Sequence, residues 1–372
     1  MKGGENIIKK IKILYIVSNL KKCGPINILY NLTKYIDKEI YEIFIVSLSK
    51  ECENTRKEEF ESLGCKTYNL NLKKINAIFS SKKLILNIIK ENNIDIIHSH
   101  GIRADLINTK LRKYKTVSTL HNYPFEDYKM YYGKIKGFLI AKFHISILKK
   151  INKVFACSKS VKEMLSYKNI NFEYVQNGVD YEVFTISKDE EKYEIRKELN
   201  LPQNKKIYIV VGEINYGKNV STIINCFNNR KNNNEILLII GNGKLYSKSI
   251  ALSKDNENIL FKGKVDNVDK YLKSSDYYIS ASLSEGLPNS VLEAMSTGIP
   301  CILSKIKPHE EIINNHNQLF ISKDINNLSE TINHVINEDY QYLKKESRLT
   351  IENNLSAKNM AINYELKYRA LF

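Results

Sequence analysis

Residues 277–303 read YYISASLSEGLPNSVLEAMSTGIPCIL. A short apolar run, Tyr277–Ser280, leads into a polar loop, a segment of helix length and a second apolar run, Ile299–Leu303. Gly286 and Pro288 do not both sit comfortably inside a helix, whereas proline is favoured at a first helical position, so a helix is expected to begin near Pro288 and to run over Asn289–Ser296. Glu285 then lies in the loop facing that helix's N-terminus, where amides and the positive dipole end suit a phosphate or a developing negative charge. Glu293 falls in the following turns and can offer a carboxylate to a pair of hydroxyls, as on a ribose. Either glutamate alone is compatible with an ordinary helix entry carrying a surface charge; the whole string is harder to dismiss.

The same alternation extends in both directions. Upstream in the second half, strands are expected at Lys206–Val211, Ile236–Ile240 and Ile259–Phe261, with helical segments at Asn219–Asn228 and Val268–Lys273, and downstream a further helical segment at Asn327–Asn337. In the first half, strands are expected at Ile11–Ser18, Glu42–Leu48, Lys66–Leu70, Asp95–His98, Thr116–Leu120, Lys153–Ala156 and Phe172–Val175, with helices such as Asn27–Tyr35, Lys82–Glu91 and Arg103–Arg112. Strands alternating with helices imply parallel sheets covered on both faces. The fold class is therefore α/β, with two Rossmann-like domains expected to face one another across a cleft, since ligands of such sheets bind outside the carboxyl ends of the strands. The boundary is expected after Asn177-Gly178-Val179-Asp180, where a turn-forming Asn-Gly precedes the polar stretch Ser187–Lys197. That gives an N-terminal domain over 1–180 and a C-terminal one over 181–356.

A chain of 372 residues exceeds the size at which one core usually stops growing. With 43% hydrophobic and 26% charged residues it has an ordinary globular balance. The six cysteines contain no Cys-x-x-Cys pair and suggest neither zinc nor redox chemistry. The opening Met1–Asn6 and the Ile11–Leu20 run interrupted by Lys12 do not resemble a signal peptide, and no stretch approaches a membrane span, so a cytoplasmic location is expected. The net charge of +16 is uneven: residues 1–180 hold 32 Lys+Arg against 17 Asp+Glu, residues 181–372 hold 25 against 24. Such asymmetry suggests an anionic lipid surface or nucleic acid as partner, or a compositional bias toward Lys, Asn and Ile.

The string 285–295 resembles the signature of the family 4 glycosyltransferases of the GT-B fold, in which two glutamates are separated by seven residues, with Gly-Leu-Pro after the first and Glu-Ala-Met at the second. Asn177–Asp180 with Phe184, Val210-Val211-Gly212 with Lys218-Asn219, and the glycine-containing loop Ser18–Pro25 resemble further family segments in the expected order. The resemblance implies a retaining, metal-independent transfer of a hexosyl group from a nucleotide-diphosphate sugar, uridine-linked by expectation, to a glycan or lipid-linked acceptor in bacterial surface polysaccharide synthesis. It further implies that Glu285 contacts the donor sugar and Glu293 the ribose. Lys218 would neutralise the diphosphate leaving group. Gly24, Gly212, Gly286, Leu287, Pro288, Asn289 and Ser290 complete the implied donor-binding set, and His121 is the implied catalytic partner near the transferred sugar or the acceptor. No cofactor or metal is expected, in keeping with the lack of an Asp-x-Asp motif. By the same resemblance, residues 357–372 should form a helix that packs back on the N-terminal domain, with Tyr364, Leu366, Tyr368, Leu371 and Phe372 supplying its apolar surface.

One residue departs from the family. Glu213 stands where an arginine commonly follows the strand glycine. A carboxylate about 4 Å from a diphosphate would be repelled by roughly 1 to 4 kcal/mol, so Glu213 should point away or bond another group, with Lys21, Lys22 or Arg103 as replacement charges. His121 closes a strand at its carboxyl end, where a role in the site and a histidine satisfied by nearby backbone are both open. His98 and His100, also at a strand end, suggest a structural or acceptor-side role, because a metal would need a third, better-spaced ligand. Gly241-Asn242-Gly243 lacks the third glycine of a dinucleotide fingerprint, with Tyr246 in its place, and is read as letting backbone approach the nucleotide.

Lys129–Lys153 holds seven lysines and no acidic residue, with Ile135, Leu139, Phe143, Ile147 and Ile151 spaced four apart and Phe138 and Leu148 beside them. Such a stripe suits either docking on an anionic membrane, at the inner face of the cell membrane, or packing on the domain's own sheet. Two other functions compete. A nucleotide-sugar epimerase or hydrolase shares the architecture and would consume donor without transfer. A nucleic-acid-binding protein would suit the basic first half, but no recognised motif supports it, and none is expected as a partner.

Overall fold

A computed structural model of the chain describes residues 9–72, 77–254 and 256–372. The opening Met1–Asn6, on which the expectation about a signal peptide partly rests, lies outside the described residues. The chain divides into two compact units, one comprising Met1–Tyr128, Ile135–Gln176 and Ala357–Phe372, the other Lys129–Lys134 and Asn177–Ser356. The division thus falls before Asn177 rather than after Asp180, because Asn177 bonds within the second unit, its Nδ2 donating to the Leu287 carbonyl at 3.2 Å.

The first unit is built on seven strands: β1 Ile11–Val17, β2 Tyr41–Ser47, β3 Lys66–Asn69, β4 Ile96–His100, β5 Lys115–Leu120, β6 Lys153–Ala156 and β7 Glu173–Tyr174. They pair in parallel in the order β3-β2-β1-β4-β5-β6-β7. β1 reads IKILYIV and is buried from Ile13 to Val17, the near-continuous apolar run that a parallel strand covered on both faces requires. The strand order reverses direction between β1 and β4, so the crevice at their carboxyl ends is the topological switch point.

The second unit repeats the plan with β8 Lys206–Val211, β9 Glu235–Ile240, β10 Ile259–Gly263, β11 Tyr277–Ser280, β12 Cys301–Ser304 and β13 Leu319–Phe320, all parallel, in the order β10-β9-β8-β11-β12-β13. Its switch point lies between β8 and β11. Two Rossmann-like α/β units are the architecture of the chain.

Helix Ala357–Arg369 belongs to the first unit, where Met360, Ala361, Tyr364 and Tyr368 join the core formed by β1 and helix Gly24–Tyr35. The Tyr368 hydroxyl pairs with Tyr15 Oη at 2.9 Å and His98 Nδ1 at 2.7 Å, and the Tyr364 hydroxyl with Thr119 Oγ1 at 2.7 Å. Leu371 packs against the same core, partly buried, whereas Leu366 and Phe372 remain exposed, so not every apolar residue of the tail takes part in the docking.

The lysine-rich segment forms helix Lys134–Leu148, and its four-residue row does not behave as one stripe. Ile135, Leu139 and Phe143 are exposed at 81%, 60% and 54%, whereas Ile147 and Ile151 are buried. At 3.6 residues per turn a step of four advances about 40°, so the row drifts by about 120° from Ile135 to Ile147 and passes from one face to another, while Ile151 lies beyond the helix's end. The face that packs inward is Gly137, Ala141, His144, Ile145 and Leu148.

Candidate functional site

Two groups of chemistry-bearing side chains occupy the two switch points. In the second unit β8 is followed by Gly212, whose φ of 150° is unfavourable for any side chain, and a Cβ there would meet Lys218 Cε at 3.4 Å. That distance is ordinary contact, so the backbone conformation, not the space beside Lys218, calls for glycine there. Asn215 Oδ1 accepts the Lys218 amide at 3.0 Å and fixes the loop. Lys218 Nζ then reaches Glu285 Oε1 at 2.6 Å, with 27% and 12% of the two side chains exposed. Burial pushes the Glu285 carboxyl up, but the Lys218 charge, the bond it makes and a further bond from Ser282 together hold the carboxyl below its ordinary range. The two residues therefore form a charged pair poised at the strand ends.

Helix Asn289–Ser296 starts one residue beyond Pro288, which occupies the N-cap position with φ −77° and ψ 105°. Asn177 Nδ2 donates to the Leu287 carbonyl and lies 3.4 Å from Asn289 Oδ1, so the Asn-Gly-Val-Asp segment braces the loop that carries Gly286 and Leu287. Ser290 Oγ accepts from the Tyr278 hydroxyl of β11 at 2.9 Å, anchoring the helix entry to the sheet. Glu293 is half-buried on the same helix. Glu213 is exposed and accepts from Asn215 Nδ2 at 3.1 Å, which meets the requirement that it bond another group. Lys22 is occupied by Glu59 at 2.9 Å, and Arg103 Nη1 donates to Ser49 Oγ at 3.0 Å, both within the first unit.

Gly241 and Gly243 are explained by the fold itself. A Cβ on Gly241 would lie 1.9 Å from the Gly212 carbonyl oxygen and one on Gly243 2.5 Å from that of Ile214, so these glycines let the loops after β8 and β9 touch. Their requirement comes from loop against loop, where the sequence suggested approach to a nucleotide.

In the first unit a cavity of about 260 Å³ lies at the carboxyl ends of β1, β4 and β5, with Ser18, Asn19, Gly101, His121 and Asn122 among its lining. His121 Nε2 is 2.8 Å from His100 Nδ1, and the rings of His98, His100 and His121 stack in sequence with centroids 4.6 and 5.1 Å apart. Burial pushes His98 down to about 3 and His121 to about 4, and drives His100 well below the ordinary histidine range; the neighbouring rings lower His98 and His100 further, while Asp105 opposes the shift at His121. All three are neutral near pH 7 and act as hydrogen-bonding rings, not as cations. His98 is tied to Tyr368 and to Thr119 Oγ1 at 2.9 Å and does not line the cavity, whereas His100 and His121 both do.

Comparison with known proteins now bears on both units. Residues 24–183 match Glycosyltransferase Family 4, and residues 191–354 match Glycosyl transferases group 1. The chain is 27% identical to the O-antigen biosynthesis glycosyltransferase WclY of Escherichia coli, over 97% of this chain and 99% of the relative. The chain belongs to the family 4 glycosyltransferases. Another relative of this glycosyltransferase is the Escherichia coli UDP-Gal:alpha-D-GlcNAc-diphosphoundecaprenol alpha-1,3-galactosyltransferase, 25% identical over 85% of this chain and 78% of the relative. Anabaena Alr3699/HepE, solved in complex with UDP and glucose, shares the GT-B fold with a TM-score of 0.80 at 14% identity, over 97% and 100% of the two chains.

The structure of the glycosyltransferase separates its expected donor residues by unit. Gly212, Lys218, Glu285, Gly286, Leu287, Pro288, Asn289, Ser290 and Glu293 belong to the second; Gly24, at the start of helix Gly24–Tyr35, and His121 belong to the first. Sequence reading missed His309, fully buried beside the Lys218–Glu285 pair. Its Nδ1 donates to the Ser304 carbonyl at 2.7 Å, and burial holds it down to about 4 against the pull of the Glu285 charge. Its position just beyond β12, at a strand carboxyl end, was the available signal. Sequence reading also missed Asp105, Tyr128 and His144, whose association no spacing announces. Among the described residues no group of three His, Cys, Asp or Glu is placed to hold a metal ion.

Proposed function

We propose that this glycosyltransferase moves a hexosyl group from a uridine-diphosphate sugar, with retention and without a metal, to a glycan or lipid-linked acceptor in surface polysaccharide synthesis. The observation that carries the donor assignment is the Lys218–Glu285 pair at the β8–β11 switch point, 2.6 Å apart. A diphosphate arriving there offers Lys218 a stronger partner than one carboxylate. Glu285 is then released to accept from the sugar hydroxyls, in a largely water-excluded place where such bonds are worth most. Glu293 takes the ribose, and the positive end of helix Asn289–Ser296 shares the phosphate charge. The names of the relatives support the process and the donor: one acts in O-antigen biosynthesis, one uses UDP-Gal, and the fold neighbour binds UDP and glucose. Metal independence follows from Lys218 and the helix end supplying positive charge to the leaving group, and from the missing Asp-x-Asp motif. Transfer should persist in EDTA.

The acceptor reading rests on the cavity holding His121, and Gly24, at the start of helix Gly24–Tyr35, is kept in the proposed donor-binding set. A cytoplasmic location at the inner membrane face is part of the proposal. No helix among the described residues is long and apolar enough to cross a membrane, but Ile135, Leu139 and Phe143 are exposed on one helix with Lys136 and Lys142 between them. That patch suits the headgroup boundary of an anionic bilayer.

The test is a thermal-shift screen of UDP, GDP and their sugars against the parent protein and Lys218→Ala. A true donor raises the melting temperature with occupancy. UDP sugars should stabilise the parent and not the variant, and stabilisation by GDP sugars alone would contradict the donor proposed. Consumption of donor with every acceptor yielding only free sugar would favour a hydrolase.

A further inference from the structure

Of the three stacked histidines in the first unit, one carries an enclosed ring nitrogen with no partner. His98 and His100 are two residues apart on β4 and so share a face of the sheet. In the β4–β5 register His100 lies opposite Thr119, which leaves His121, two residues further on, to meet the His100 ring with centroids 5.1 Å apart. His98 is bonded on both nitrogens, to the Tyr368 and Thr119 hydroxyls, and either tautomer satisfies it because a hydroxyl can give or accept. His100 is bonded on one side only. Its Nδ1 lies 2.8 Å from His121 Nε2, and its Nε2 is enclosed by protein without a hydrogen-bond partner among the described residues.

Burial lowers His121 to about 4 and holds His100 well below the ordinary histidine range, so both rings are neutral near pH 7. Two neutral imidazoles joined nitrogen to nitrogen share one hydrogen, which leaves two arrangements. If His121 Nε2 gave it, His100 would carry its own hydrogen on Nε2, an N–H sealed in protein with nothing to receive it. If His100 Nδ1 gives it, the nitrogen left over is a bare lone pair. Orphaned buried N–H groups are rare, and under-used acceptors less so. The fold accepts a bare nitrogen of this kind elsewhere: His309 gives its Nδ1 hydrogen to the Ser304 carbonyl at 2.7 Å, and its Nε2 is also enclosed without a partner among the described residues. The second arrangement is therefore the favoured one. An unpaired buried nitrogen still costs stability that an apolar ring would not, and such a cost calls for a reason. The reason is direction, since the bond made at one ring nitrogen decides what the other presents. His121 is half-buried and lines the cavity, and its other nitrogen is Nδ1. The wall there is mostly apolar in surface, although Asn19, Asn122 and Asp127 also reach it. In such a wall a single placed donor does much to orient a ligand.

We propose that His100 is a positioning residue that gives its Nδ1 hydrogen to His121 Nε2 and so keeps the His121 hydrogen on Nδ1, where it is offered to an oxygen of the acceptor sugar. This rests on the reading of the protein as a sugar transferase whose acceptor enters the cavity, and it adds how His121 is made ready. With one nitrogen already protonated and the other taken up by His100, His121 donates a hydrogen bond and does not serve as the base that removes the acceptor hydroxyl's hydrogen.

The experiment compares the parent, His100→Phe and His100→Asn. Phenylalanine keeps a ring in the stack and offers His121 no hydrogen, whereas asparagine returns a short N–H donor to the same position. ¹⁵N spectra of the histidine rings report which nitrogen of His121 holds the hydrogen, and UDP release from UDP-glucose and UDP-galactose with octyl glycosides reports transfer. In the parent, His121 should show a pyrrole-type Nδ1 and a hydrogen-bonded, imine-type Nε2. In His100→Phe the Nε2 resonance should lose the mark of its donor and the hydrogen should no longer be confined to Nδ1. The same variant should lower kcat/KM for the glycoside about 3- to 10-fold, the loss of one neutral hydrogen bond, with UDP affinity unchanged. His100→Asn should recover both readouts. An imine-type Nδ1 on His121 of the parent, unmoved His121 resonances in His100→Phe, or parental kcat/KM in that variant would each overturn the inference. So would a loss of transfer in His100→Asn with the His121 hydrogen still on Nδ1. If His100→Phe does not fold, the parent spectrum and His100→Asn decide the matter. A parent with its His121 hydrogen on Nδ1 that releases no UDP from either donor would instead count against the transferase reading while leaving the histidine pair as assigned.

Discussion

Replacing Lys218 with alanine removes the positive half of the pair at the second switch point and strands a carboxylate that is 12% exposed. At 2.6 Å, two unit charges attract by about 6 kcal/mol at an effective dielectric of about 20. Desolvation of both groups offsets most of that, leaving a coupling of about 1 to 3 kcal/mol. A loss of about 2 kcal/mol lowers the melting temperature of a unit this size by about 4 to 8 °C. The loss should depend on pH in a defined direction. In the parent the folded Glu285 carboxyl lies below its ordinary range, so the pair contributes stability that is fully present above the unfolded value of about 4.3 and is lost as pH falls from there through the lower folded value. In the variant, burial acts without Lys218 and raises the folded carboxyl above that value. Lowering the pH then relieves the variant, because the stranded group can protonate. Melting curves from pH 4 to 8 should show the full gap between parent and variant near pH 7 and little gap near pH 4. Adding Glu285→Gln to the variant should recover most of the loss at pH 7. A gap that does not change with pH, or losses that simply add in the double variant, would refute the coupling.

Glu293→Ala should weaken UDP and the donor alike by about 1.5 to 3 kcal/mol, the cost of hydrogen bonds to a charged group, as measured by calorimetric titration. Gly241→Ala should destabilise the protein by at least about 2 kcal/mol in urea unfolding, because its methyl would enter the Gly212 carbonyl, 1.9 Å away, at a φ of 135°. Tyr368→Phe deprives Tyr15 and His98 of a shared buried partner and should cost about 1 to 3 kcal/mol in the same assay while leaving UDP affinity unchanged. Replacing Ile135, Leu139 and Phe143 with serine should reduce partition onto phosphatidylserine vesicles without lowering the melting temperature, since all three are exposed.

The parallel sheets were legible in the sequence because strands buried on both faces must be short continuous apolar runs, as Ile13–Val17 and Ile236–Ile240 are. β13, only Leu319–Phe320, is too short to carry a pattern. The loop-to-helix geometry at the second switch point was equally legible, because Glu285, Pro288 and Glu293 lie in one loop and one helix. Even the anomaly of Glu213 resolved locally, through Asn215 two residues away. The association of Asp105, His144 and Tyr128 was not legible. Asp105 and His144 are 39 residues apart, and His144 and Tyr128 16, and only the sheet order and the inward face of helix Lys134–Leu148 bring them together. The lysine-rich stripe misled in part for a geometric reason, since a row of fours on an α-helix winds steadily around it.

The most direct test of the donor site is turnover of Glu285→Gln with whichever UDP sugar stabilises the parent, measured as UDP release and product formation in EDTA. Glutamine keeps the size of the side chain and removes the charge that would act on the sugar in the transition state. A fall of about 100-fold or more in the catalytic constant, with UDP affinity changed only modestly, is the result expected. Near-parental turnover in that variant would contradict the assignment of Glu285, and with it the central role of its pair with Lys218.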